Sequence, residues 1–218
     1  MRGNHFRNLA VAVVLVLAAC TESSTLPKED VLTEFEAAQL ASFLIDRSYT
    51  ATGVDLAAQT VATPGISRRP QSPPLSRARV NFDESHNLIG ECPLGGSLEV
   101  EQTVDGFADG ETSEYEINAI QTLIFDECAG QGESGGFVFT LDSSPDVSAT
   151  LSTARDAAGV ATGSGTVTGA VDWSSEDRFG RCEIDFGFSL SASPGSARFD
   201  ASGRICGVEF TQNASVSS

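Results

Sequence analysis

Basic residues are scarce in this chain of 218 residues, which has 13 Lys and Arg against 30 Asp and Glu and a formal net charge of −17 at pH 7. Such an acidic surface argues against a nucleic-acid partner and against a domain that lies flat on anionic lipid. Histidine is scarcer still, with two residues, and no two of the five cysteines form a Cys-x-x-Cys pair. These counts do not support a zinc site, and we expect no metal and no cofactor.

Long apolar runs, Trp and Tyr are also scarce. The longest apolar run, residues 9–19, is about half of the roughly 20 residues that span a bilayer, so we expect no transmembrane anchor. One Trp and two Tyr supply little surface for stacking sugar rings. No pair among the many acidic residues is singled out for glycoside hydrolysis.

The first twenty residues have the parts of a secretory signal peptide. Arg2 and Arg7 form a basic start, the apolar run follows, and Leu17-Ala18-Ala19-Cys20 ends the segment. This ending resembles the lipobox of bacterial lipoproteins, which is a Leu, two small residues and a Cys. The alternative is a plain signal peptide in which the cysteine has no special role.

The resemblance implies a cell-envelope lipoprotein and covers only these twenty residues. Residues 1–19 would be removed, Cys20 would receive a diacylglyceryl group, and the new N-terminus would gain an acyl chain. Two or more chains anchor a protein stably, so the membrane is the expected partner through Cys20. In this family an Asp after the cysteine favours the inner membrane, so Thr21 implies the outer membrane, facing the periplasm or the exterior.

A polar tether over residues 20–26 leads into a predicted amphipathic helix over residues 27–49. Pro27 and two following acids suit a helix N-terminus. Residues of one face recur at helical spacing, and four neighbours broaden the stripe. The face has Val31, Phe35, Ala38, Ser42 and Ile45, and the broadening residues are Leu32, Leu40, Phe43 and Leu44. We expect this helix to pack on the rest of the chain; its acidic polar face disfavours the membrane interface. Residues 50–79 are rich in proline and predict an extended linker.

A period-two pattern with frequent Gly, Ser, Thr and Asp occupies residues 80–212 and predicts about eight strands. The first covers 79–83 and 86–91, as one strand or two, and the last covers 196–210. The short spacings between strands indicate hairpins. The predicted fold class is therefore mainly β, an antiparallel meander forming a curved sheet or incomplete barrel with one N-terminal amphipathic helix as its cover. A β-sandwich is the second choice. Residues 213–218 are predicted to be a tail.

Two predicted hairpins set the register of this meander. The first has a two-residue turn at 109–110, which places Val104 opposite Tyr115. The second has its turn at 194–195 and likewise brings apolar residues together on one face.

Four cysteines follow the signal segment, and an even count in an exported chain predicts two disulfides. In both hairpin registers, the two cysteines lie one position away from directly opposite each other. A one-residue bulge or a slightly longer loop closes such a gap. The predicted pairs are Cys92–Cys128 and Cys182–Cys206.

Three stretches have a passing likeness to functional motifs. Residues 128–136 look like the Gly-Asp-Ser-Gly-Gly signature of chymotrypsin-like proteases, with Ser134 as the nucleophile. That mechanism needs a histidine base, and His86, the one histidine after the signal segment, lacks the usual Ala-His-Cys context. We interpret the stretch as a Gly-rich loop. The glycines at 163–169 lack the helix and lysine of a phosphate-binding loop, and the acids around Asp109 lack calcium-loop spacing.

The sequence therefore predicts the location and membrane attachment of the protein, and none of its motifs specifies an activity. We expect a non-enzymatic envelope lipoprotein whose β domain binds an envelope protein or an apolar ligand, or has a structural role. The alternative is a secreted hydrolase that uses His86 with Ser134 or a nearby acid. A large open apolar concavity would favour ligand carriage, whereas a filled core would favour a structural or interaction role.

Overall fold

The computed structural model describes residues 31–52, 79–132, 135–143 and 146–217. They form one helix, α1 (Glu34–Ala51), and nine strands: β1 (Arg79–Glu91), β2 (Gly95–Asp109), β3 (Tyr115–Gln131), β4 (Val138–Ser143), β5 (Val147–Arg155), β6 (Ala161–Ser175), β7 (Arg178–Ser193), β8 (Ser196–Ile205) and β9 (Val208–Ser217).

The sheet is an antiparallel meander, as the sequence predicts. Strands are hydrogen-bonded in the order β1-β2-β3-β4-β6-β7-β8-β9, and β5 pairs with β3 and β6. Both β4 and β5 therefore pair with β3 and with β6. β5 pairs with one half of each of these two strands, and β4 pairs with the other half. β4 and β5 thus lie end to end in one position of the sheet, and the chain order is otherwise kept throughout.

Strand boundaries differ from the predicted ones at one end of the sheet. The segments predicted at 79–83 and 86–91 form one strand, β1, of 13 residues, which is the alternative that the pattern allowed. The predicted strand at 196–210 is interrupted at Cys206 and Gly207, whose φ angles of 52° and 76° suit a two-residue type I′ turn. The chain then returns as β9, so the predicted tail at 213–218 belongs to a strand as far as Ser217.

Of the two predicted hairpin registers, the second is confirmed and the first is wrong. Leu190 lies opposite Phe199, as a turn at 194–195 requires. Val104 lies opposite Ala119 instead of Tyr115. The offset is an even number of residues, so the same side chains still face the core.

The side chain of Asp109 causes the longer first turn. Its carboxylate accepts hydrogen bonds from the backbone N–H groups of Glu111 at 2.8 Å and Thr112 at 3.1 Å. These bonds, with Thr112 contributing most, lower the pKa of Asp109. Asp109 also donates its backbone N–H to the Glu114 carbonyl at 2.8 Å, so residues 110–114 form the loop. Asp109 therefore acts here as a turn residue.

The helix begins at Glu34, later than the predicted start; residues 27–30, on which that start rested, lie outside the described residues. Thr33 is the N-cap: its hydroxyl accepts from the Glu36 N–H at 3.2 Å, and the Glu36 carboxylate accepts from the Thr33 N–H at 2.8 Å. Residues 33–36 thus form a capping box, a Thr-x-x-Glu signal present in the sequence.

Glu36 also fixes the start of the helix to the sheet. Arg178, at the start of β7, donates to both oxygens of the Glu36 carboxylate, at 2.6 and 3.1 Å, and to the Val31 carbonyl at 3.0 Å. Hydrogen bonding from Arg178 is the main cause that lowers the pKa of Glu36. The guanidinium also lies over the ring of Trp173.

The sheet curves around the helix, which touches β3, β5, β8 and β9. Consequently α1 is buried on most of its sides rather than along one stripe. The predicted stripe had the wrong phase at its start, because Val31 and Phe35 are 63% and 56% exposed. The buried helical residues are Ala37, Gln39, Leu40, Ala41, Phe43, Leu44, Ile45, Ser48 and Tyr49.

Two glutamines of the sheet bind the carbonyl groups at the end of α1. Gln121 on β3 donates its amide to the Ser48 carbonyl at 3.0 Å and to the Gln102 side chain at 2.9 Å. Gln102 on β2 donates to the Ala51 carbonyl at 2.9 Å. The last carbonyls of a helix have no partner within it, so these bonds replace the water that the surrounding sheet excludes.

Tyr49 lies in the last turn of α1, and its side chain packs against the sheet. Its ring packs edge-on against Phe188, and Gly163 makes room, because a Cβ there would lie 2.6 Å from the Tyr49 hydroxyl oxygen. That hydroxyl is buried without a hydrogen-bond partner among the described residues. Burial first, and then the charge of Tyr115, raises the pKa of Tyr49 to about 12.

Tyr49 should therefore make the fold sensitive to alkali. An unfolded tyrosine ionises near pH 10, whereas folded Tyr49 holds its proton until about pH 12, so stability is lost as the pH rises between these values. The loss approaches about 3 kcal/mol at the upper end. Denaturant unfolding of the wild type and of Tyr49→Phe from pH 8 to 12 measures it. The variant should show a shallower decline, and parallel curves would refute the assignment.

Candidate functional site

Both predicted disulfides are present. Cys92–Cys128 joins Cα atoms 5.4 Å apart, and Cys182–Cys206 joins Cα atoms 4.2 Å apart. Cys128 and Cys182 have no solvent exposure. The four described cysteines are therefore all in disulfides, in the pairing that the hairpin argument predicts.

Each disulfide fastens a terminal hairpin of the meander to the next strand inward. Cys92 lies in the turn between β1 and β2 and is bonded to β3; Cys206 lies in the turn between β8 and β9 and is bonded to β7. In both cases one partner lies in a turn; for Cys206 this differs from the prediction, which placed it in a strand at 196–210. The two ends of the sheet, where strands have one neighbour, are thus covalently held.

A bulge in β3 turns Cys128 toward Cys92. The predicted one-position gap does not apply here, because the observed register of β2 with β3 differs from the predicted one. The β2–β3 register shifts between Gly95 and Ser97, opposite Glu127, which has a φ of 47°. Gly96 permits the close approach, because a Cβ there would lie 1.9 Å from the Glu127 carbonyl oxygen. A bulge changes which residues face inward, and it places Cys128 in the core.

The disulfides indicate an oxidising, non-cytoplasmic compartment. Cys20 lies outside the described residues. The chain has five cysteines, and four are paired with each other, so no cysteine of the same chain is left as a disulfide partner for Cys20. Within the described ranges, no helix has the length and apolar character needed to cross a membrane.

His86 lies in β1, with its side chain 45% exposed, and its Nε2 is 3.0 Å from a carboxylate oxygen of Glu84. Ser134 lies outside the described residues, so the structure does not test a contact between Ser134 and His86. The pairing of His86 with Ser134 therefore stays a hypothesis. In the part of the chain that the structure describes, no group of three or more His, Cys, Asp or Glu residues is arranged to hold a metal ion.

The interior of the curved sheet is occupied by the helix and not open. Leu40 and Leu44 of α1 are at most 1% exposed, and they join Phe139 and Phe186 of the sheet in one hydrophobic core. Two depressions on the described surface have volumes of about 310 and 480 Å³ and are lined largely by polar side chains such as Ser, Thr and Asn.

β1 is the most exposed element of the sheet. None of its 13 residues is buried, and Phe82 alone is even partly covered. Ile89 is 76% exposed and Leu88 is 42% exposed. Within the described ranges β1 pairs with β2 alone, so its other edge offers free backbone groups.

No protein-family model, no curated protein and no solved structure matches this chain.

Proposed function

We propose that this protein is a cell-envelope lipoprotein, held at the outer membrane by lipidated Cys20, whose β domain is non-enzymatic and binds a protein partner at its exposed surface. The observation that carries the proposal is the way in which the five cysteines are used. Four are used in two disulfides of one domain, which leaves Cys20 for another chemistry.

The position of Cys20 fits lipid attachment. It follows a basic start, a short apolar run and Leu17-Ala18-Ala19, the arrangement that resembles the lipobox. The disulfides agree with export, since they persist in oxidising compartments. Attachment through two or more acyl chains is stable without any membrane-spanning segment.

The filled interior favours a protein partner over an apolar ligand. Carriage of an apolar molecule needs a cavity lined by apolar side chains, and here Leu40, Leu44 and Tyr49 of the helix fill that space. The exposed strand β1 supports recognition at the surface, because an unpaired strand edge can add a strand from another chain.

The mass of the mature protein, purified from membranes, tests the anchor. We expect a chain that begins at Cys20 and carries the mass of a diacylglyceryl group and an acyl chain. Cys20→Ala should lack this added mass. The matched control is Cys92→Ala with Cys128→Ala, which removes two cysteines and should keep the lipid mass.

A free thiol at Cys20, or a mature chain that still begins at Met1, would overturn the anchor. The partner is tested separately, by chemical crosslinking with mass spectrometry on intact envelopes. Reproducible crosslinks to residues of β1 and β2 would support surface binding, and crosslinks confined to the opposite end of the sheet would contradict it.

A further inference from the structure

β1 is a long and regular edge. Its 13 residues contain neither proline nor lysine, and its pairing with β2 runs from Arg79 opposite Asp109 to Glu91 opposite Ser97 without a register shift. Natural proteins usually blunt such edges with prolines, lysines or bulges, because an open edge recruits another strand. β1 has none of these three devices, although it carries several charged residues.

The sequence of β1 is complementary to itself when reversed about Ser85, its central residue. Two copies related by a two-fold axis at Ser85 form an antiparallel pair in which the ends bring opposite charges together. The pairs that lie opposite each other are Arg79 with Glu91, Val80 with Gly90, Asn81 with Ile89, Phe82 with Leu88, Asp83 with Asn87 and Glu84 with His86.

Geometry leaves few competing registers. The backbone groups of successive residues point alternately to the two edges of a strand, so paired residues must be an even number apart in the sequence. A shift one step in one direction places Glu84 opposite its own copy. A shift in the other direction places Glu84 opposite Leu88 and His86 opposite its own copy. Like charges that face each other destabilise a strand pair, which disfavours the first shift. The second shift separates Arg79 from Glu91 and Glu84 from His86, so the register centred on Ser85 is favoured.

Existing contacts leave the charged groups at the ends of β1 able to bind. The Arg79 guanidinium stacks on the ring of Phe107, 3.5 Å from its centroid. Stacking uses the face of the guanidinium, and its N–H donors lie in the plane, where a carboxylate binds. Glu91 is exposed at the other end of the strand.

We propose that β1 is a self-association edge, at which a second copy of this chain adds its own β1 antiparallel about Ser85 and joins the two sheets. The inference rests on the proposed function, because it names a second copy as the protein partner. The net charge of −17 makes two copies repel each other at long range, but salt screens charges beyond about 8 Å. Tethering both copies to one membrane also raises their effective concentration.

Cysteine crosslinking in intact cells tests the register. Ser85→Cys lies on the axis, where cross-strand Cβ atoms are about 4.5–5.5 Å apart. We expect a covalent dimer on a non-reducing gel that reductant converts to monomer. Asp83→Cys and Asn87→Cys lie off the axis, so each alone should stay largely monomeric, whereas co-expression of the two should give the dimer. The matched control is Ser202→Cys, an exposed position of β8, which should stay monomeric.

Charge exchange provides a second test that needs no new cysteine. In the mature protein in detergent, native mass spectrometry should show that Arg79→Glu weakens dimerisation about tenfold, since a carboxylate then faces Glu91 of the other copy. The double variant Arg79→Glu with Glu91→Arg should restore it. Arg181→Glu, an exposed change on β7, is the control for net charge and should leave dimerisation unchanged.

Three outcomes overturn this inference: a monomeric Ser85→Cys variant, strong crosslinking by Asp83→Cys alone, or a ladder of larger species from contacts between β1 and a different edge. These results are distinguishable from failure of the proposed anchor. Lipid mass at Cys20 with a monomeric Ser85→Cys protein refutes the self-association edge alone, and a crosslinked dimer without lipid refutes the anchor alone.

Discussion

Replacing Leu44 with alanine is expected to lower the free energy of unfolding by about 2–5 kcal/mol. Leu44 has no solvent exposure and lies in the middle of α1, inside the curve of the sheet. Alanine removes apolar contacts on several sides at once. The cavity is bounded by strands that are hydrogen-bonded to their neighbours, so the surroundings collapse into it only in part.

Denaturant unfolding followed by circular dichroism measures this loss. The matched control is Phe35→Ala, which removes a larger apolar side chain from the same helix. Phe35 is 56% exposed, so the expected change is within about 0.5 kcal/mol. If Leu44→Ala cost no more than Phe35→Ala, the helix would not fill the sheet in solution, and the argument against an interior ligand site would fail with it.

Removal of either disulfide is the second change with a large expected effect. Cys182→Ala with Cys206→Ala, and Cys92→Ala with Cys128→Ala, should each cost about 2–5 kcal/mol. Alanine is the appropriate replacement because a serine hydroxyl at buried Cys128 or Cys182 would add an unpaired polar group. In the chain-entropy model, the separations of 36 and 24 residues make the first bridge more stabilising by about 0.4 kcal/mol.

The location of these disulfides also predicts which strands become less stable when a disulfide is removed, in addition to a lower midpoint of denaturant unfolding. Each holds the hairpin that ends the sheet, so its removal should increase amide hydrogen exchange mainly in β1 and β2 for the first pair and in β8 and β9 for the second. Uniformly faster exchange throughout the sheet would contradict this local role. A non-reducing peptide map that shows Cys92 bonded to Cys182 or Cys206 would refute the fold's register altogether.

The two hairpins show how far a sequence can specify a strand register. The turn at 194–195 is the two-residue Pro-Gly turn that the sequence indicates, and the register of β7 with β8 follows directly. At Asp109 the same reasoning gives the wrong partner for Val104, because the Asp109 carboxylate captures two backbone N–H groups and lengthens the loop. Both hairpins keep the predicted apolar face, since a shift by an even number of residues does not exchange the faces.

The candidate site divides in a similar way. The pairing of cysteines was predictable, because neighbouring strands of a meander bring their ends together whichever residues form the turn. The exposed edge at β1 was not, because exposure depends on where the helix covers the sheet. The self-complementarity of β1 is present in the sequence, yet it has meaning only once residues 79–91 are known to form an edge strand.

The sequence by itself determined the β meander, its disulfide pairs and the distinctive position of Cys20. Alternation of apolar residues, turn residues and chain order are local properties, and they act over a few residues at a time. Only the tertiary structure decided that α1 lies inside the curved sheet with Val31 and Phe35 exposed, and that β1 is an edge strand among the described residues. The burial of a helix and the freedom of an edge depend on which strands surround the helix and where the sheet ends, and no local pattern encodes those positions.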